Sequence, residues 1–83
     1  MKENVKYKDF IEDEKRFYLH EAGFNDKEEK LFRLRVYEDK TLWEASEIMG
    51  YSPRQIDRIN KKMKMKIMKA APMYHRGISF EYN

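Results

Sequence analysis

The chain contains no cysteine, two prolines, three glycines and a single tryptophan in 83 residues. Without cysteine there is neither a disulfide framework nor a thiolate zinc site. His20 and His75 are the only imidazoles, and they lie far apart in sequence, so both read as ordinary, partly exposed side chains. No metal ion or cofactor is expected. The scarcity of glycine excludes a phosphate-cradling loop. No apolar run approaches the roughly 18 residues of a membrane span, and the N-terminus lacks a signal-peptide core. A cytoplasmic protein outside the membrane is therefore expected. Catalytic groups are missing as well. Glu12, Asp13 and Glu14 are adjacent and cannot share one helix face, and Ser46, Ser52 and Ser79 have no paired base. The sequence does not read as an enzyme.

What remains is a hydrophobic fraction of 41% with 14% aromatic residues, enough for one small domain. A charged fraction of 40% means that most helix faces are wet. The net charge of +3 hides an asymmetry: residues 1–50 hold 10 Lys/Arg against 13 Asp/Glu, and residues 51–83 hold 8 against 2. The balance thus moves from −3 to +6, with most of the excess between Ser52 and Lys69. A localised anionic partner is the natural reading of such a shift.

Helix starts and stops divide the chain into four helices. Residues 5–22 carry Tyr7, Phe10, Ile11, Phe17 and Tyr18 at helical spacing, and Gly23 ends the segment. These aromatics are expected in the core. In "FNDKEE", Asn25 is a cap, Asp26 and Glu28 suit the positive end of the helix dipole, and Phe24 is placed to staple onto the first turns. Leu31, Phe32, Leu34 and Val36 supply the apolar side of the second helix, which ends near Glu38–Asp39. In "TLWE", Thr41 and Glu44 form a capping box, and Gly50 stops the third helix in a left-handed conformation. In "SPRQ", Ser52 caps, Pro53 takes the first helical position and Gln55 closes the box. Ile56, Ile59, Met63 and Ile67 then form a stripe up to Pro72, which is expected to stop the fourth helix. Strands are hard to place before the end of the chain, where Ile78, Phe80 and Tyr82 alternate weakly. The fold class is all-α. A single helical domain spans 1–72, with a helix-turn-helix at 41–70 and a C-terminal tail at 73–83.

The helix-turn-helix follows from the connection. Helices joined only by Gly50, Tyr51 and Ser52 cross steeply. A small residue is needed four positions before the glycine, and Ser46 is there, while Ala45, Met49, Tyr51, Ile56 and Ile59 follow the inner face. Such a unit presents Pro53, Arg54, Asp57 and Arg58 to a major groove. Arg54 and Arg58 are spaced i, i+4, and arginine donates two hydrogen bonds to guanine. Gln55 suits adenine, although its cap role competes for the same amide. Lys61, Lys62, Lys64, Lys66 and Lys69 suit phosphates, which give affinity without sequence information. Lys40, Thr41 and Trp43 at the third helix start are candidates for backbone contact, aided by free N–H groups there. Trp43 reads first as a partly buried prop.

The stretch "FNDKEEKLFRLRVYEDKTLWEASEIMGYSPRQIDRINKK" resembles the promoter-reading fourth region of sigma-70-type factors. It is most similar to the small sigma-like transcription regulators of phages and mobile elements in low-GC Gram-positive bacteria. The resemblance covers about residues 24–67. "FNDKE" stands where that family has a Leu-Thr-x-x-Glu start, and "TLWEASEIMGYS" where it has Thr-Leu-x-Glu-Ile-Ala-x-x-Leu-Gly-Ile-Ser. It implies sequence-specific binding of double-stranded DNA by a transcription regulator. Pro53 and Asp57 depart from the pattern and leave the target sequence open, and the other sigma regions are not present in this chain.

Two further readings stay open beside it. One is a protein-interaction module that binds RNA polymerase or another regulator, and the other a small terminase-like DNA-packaging subunit. The lysines and methionines of the fourth helix also make an amphipathic face of the membrane-surface kind, but Ile56 and Ile59 are needed for packing. Met73, Tyr74, Ile78, Phe80 and Tyr82 in the tail are expected to serve a partner, chiefly a second copy in a homodimer.

Overall fold

A computed structural model describes residues 7–75. Within them the protein is all-α: a 3₁₀ turn at Tyr7–Asp9, then α1 (Glu12–Glu21), α2 (Asp26–Phe32), α3 (Leu42–Met49) and α4 (Pro53–His75). α2 runs directly into a π-helical turn at Arg33–Tyr37. The Ile78–Tyr82 alternation lies outside the described residues.

Local capping chemistry sets three of the four starts. Asn25 accepts from the Glu28 N–H at 2.8 Å, and the Glu28 carboxylate accepts from the Asn25 N–H at 3.0 Å. Thr41 and Glu44 repeat the exchange at 3.1 and 2.9 Å. Ser52 and Gln55 do so at 3.2 and 3.0 Å. Each box satisfies two backbone donors that a helix start would otherwise leave open. The Phe24 ring packs 5.0 Å from that of Phe32, in the second turn of α2.

α1 begins later than the aromatic spacing implies. The chain breaks at Phe10 and Ile11, and Ile11 is extended and 60% exposed, so it does not belong to the core. The three acids Glu12, Asp13 and Glu14 favour a helix start there, where the dipole is positive. Phe17 and Tyr18 are fully buried from the same helix. The Tyr18 hydroxyl donates to Glu14 at 3.1 Å. Burial first, and the Glu14 charge second, push this phenol above the ordinary tyrosine range.

The core is one cluster: Phe17 and Tyr18 of α1, Leu31 and Phe32 of α2, Leu34 and Val36 of the π turn, Ala45 of α3, and Ile56, Met63, Ile67 and Ala70 of α4. α4 is the spine, since it packs against each of the other three helices. At about 1.5 Å per residue it is roughly 34 Å long.

Pro72 does not end α4, which continues to His75. A proline in a helix removes the bond to the carbonyl four residues back, here that of Met68. Pro72 and Met68 are both exposed, so water can take that carbonyl. One turn of packing also holds the end in place: Tyr74 lies 5.3 Å ring to ring from Phe17. Tyr74 therefore belongs to the core's edge and not to a free tail, while Met73 is 37% exposed. Truncation after Pro72 should lower stability by about 2 kcal/mol through loss of this ring pair and its buried area. Thermal melting and mass in solution check it. A shorter chain with an unchanged melting point and a halved mass would give the tail back to a dimer.

Candidate nucleic-acid interface

The crossing of α3 and α4 is made by one small turn. Gly50 is left-handed at φ 73°. Its N–H donates to the Glu47 carbonyl at 3.3 Å, and the Tyr51 N–H donates to the Ser46 carbonyl at 3.0 Å. This pair of bonds is a Schellman termination. Ser46 answers with its hydroxyl, which donates to the Tyr51 carbonyl at 2.7 Å. The serine is 5% exposed and Ala45 is fully buried, so α4 lies close over α3. Lys27 of α2 adds a cation 5.5 Å from the Tyr51 ring, a neighbour that spacing along the chain does not reveal.

Helical periodicity then fixes what α4 shows to solvent. Ile56, Asn60, Met63, Ile67 and Ala70 are buried. At about 100° per residue, the opposite face carries Arg54, Arg58, Lys61, Met65 and Lys69. Arg54 and Arg58 are exposed, one turn apart, and neither makes an ion pair or hydrogen bond among the described residues. Lys62 and Lys69 are likewise exposed and unpaired there, while Lys64 is half-buried. Lys61 holds Asp57 at 3.2 Å, with both side chains more than half exposed. A surface pair of this kind is worth about 0–1 kcal/mol and releases easily. Pro53 and Asp57 lie on the flank of α4 turned toward α3.

Two residues differ from their sequence assignments, and a third, Gln55, takes its expected cap role. Lys66 leaves the phosphate set: its ammonium pairs with the buried Glu28 carboxylate and donates to the Gly23 carbonyl at 3.1 Å. It pins α4 to the start of α2. Gln55 has its amide oxygen committed to the Ser52 N–H, so a two-bond grip on adenine would cost the cap. Trp43 is not a prop, being 63% exposed on the first turn of α3.

The start of α3 is less inviting to a phosphate than its free N–H groups imply. Thr41 and Lys40 stand there, but so does Glu44, whose carboxyl is held below the usual range chiefly by the Thr41 N–H. Its negative charge already occupies the positive end of the helix.

Among the described residues no helix is long and apolar enough to cross a membrane. They also contain no cluster of three or more metal-ligating side chains. No family model, curated protein or solved structure matches the chain.

Proposed function

We propose that this protein binds double-stranded DNA through α3 and α4 and acts as a small sigma-like transcription regulator, of the kind encoded by phages and mobile elements. One observation carries the reading. A tight Gly50–Ser52 turn delivers the N-terminal end of a long basic helix, with Arg54 and Arg58 unpaired among the described residues on the face opposite the core. A helix end of that type enters a major groove, with later lysines beside the phosphates.

The test is selection of bound duplexes from a random pool, followed by affinity measurements across salt. Arg54→Ala or Arg58→Ala should cost about 1–3 kcal/mol on the selected duplex and less on others. Lys62→Ala or Lys69→Ala should weaken all duplexes alike and reduce the salt slope by about one unit. Equal losses on every duplex for all four variants would remove base reading from the arginines.

A second reading, docking onto RNA polymerase or another protein, draws on α3 itself. Its outer surface carries exposed Trp43 and Ile48 beside Glu44 and Glu47, a mixture suited to a protein surface and not to phosphates. Binding without salt dependence would favour it.

A further inference from the structure

Between the first turns of α3 and α4 lies a shallow notch of about 260 Å³, lined by Leu42, Trp43, Ser46, Pro53, Ile56 and Asp57. Four of these six side chains are apolar or aromatic. The Ser46 hydroxyl has its proton committed to the Tyr51 carbonyl, so it donates nothing into the notch. Asp57 sets the charge at the rim, and a carboxylate repels phosphate even while Lys61 holds its other side. Trp43 also lines the notch, largely exposed, and offers a flat apolar wall. The notch therefore refuses an anion and suits a small apolar group.

Its position says which group. It opens on the flank of α4 next to Pro53 and Asp57, one helix turn or less from Arg54 and Arg58. A duplex gripped by those arginines presents base edges to this flank. In the major groove the only apolar group on any base edge is the C5-methyl of thymine. We propose that the Trp43–Pro53 notch receives a thymine methyl and makes the protein select thymine at one position of its site. This rests on the DNA-binding reading above and adds a specificity determinant that is not a hydrogen bond.

Duplexes selected from the random pool are resynthesised with each thymine in turn replaced by deoxyuridine, which lacks only the methyl. At one position affinity should fall roughly fourfold, the value of one buried methyl group. Trp43→Ala should abolish that difference while keeping the parent's salt slope and melting temperature, since its ring is already largely exposed. A flat uracil scan on duplexes that bind with a normal salt slope overturns the notch and leaves DNA binding standing. So does a uracil effect that persists in Trp43→Ala, because the methyl is then read elsewhere. Failure to select any duplex, with salt-independent behaviour throughout, overturns both readings together.

Discussion

Ser46→Leu is expected to destabilise the protein by about 4 kcal/mol and to abolish duplex binding in proportion to the folded fraction lost. The side chain sits 5% exposed beneath α4, next to the fully buried Ala45. Leucine inserted at a close helix crossing forces off-rotamer side chains and backbone shifts that cost about 1–3 kcal/mol. The Tyr51 carbonyl also loses the hydroxyl donor 2.7 Å away, at a cost of about 1–3 kcal/mol where water cannot replace it. The two costs add because one is steric and the other polar. Ser46→Ala separates them: it keeps the space and loses only the bond, so it should cost about 1–3 kcal/mol. Urea melts of both variants beside the parent make the comparison. A leucine variant as stable as the parent would mean that α3 and α4 do not approach closely at this residue.

That crossing was legible in the sequence because its determinants are local. A cap residue and its partner three positions on need only each other, so Asn25–Glu28, Thr41–Glu44 and Ser52–Gln55 could be paired by inspection, and all three boxes are formed. Gly50 carries its own conformational signal, since it takes the left-handed backbone that most residues avoid. The all-α class and the buried stripe of Ile56, Met63 and Ile67 follow from period alone. Asn60 falls on the same stripe and is only 5% exposed.

What the sequence concealed depends on residues far apart. Pro72 looks like a terminator until Phe17, from α1, is seen under Tyr74. Ile11 reads as core by spacing, but three acids after it start the helix and leave it outside. At the candidate interface the same division holds. Arg54 and Arg58 could be assigned to one exposed face by counting, whereas the exposure of Trp43 depends on how α3 and α4 cross.

Lys66 is the sharpest case, and it yields the other large expected effect. As one of five lysines between residues 61 and 69 it is indistinguishable from its neighbours in sequence. In the fold it reaches Glu28, a carboxylate 2% exposed that also caps α2 through the Asn25 N–H. Lys66→Met should cost about 3 kcal/mol, the lower end of the range for breaking a buried ion pair. The lower end applies because the lysine side chain is 34% exposed and water can enter where it stood. Adding Glu28→Met removes the stranded charge, so the double variant should recover part of that loss, short of the roughly 1 kcal/mol that the capping contact contributes. Lys62→Ala gives the contrast. It should leave the stability within about 0.5 kcal/mol of the parent's while lowering the salt slope of duplex binding. Lys66→Met, measured at a temperature where it is fully folded, should leave that slope unchanged. If Lys66→Met instead melts like the parent and flattens the slope as Lys62→Ala does, the lysine faces phosphate and the pin to Glu28 contributes nothing to the fold.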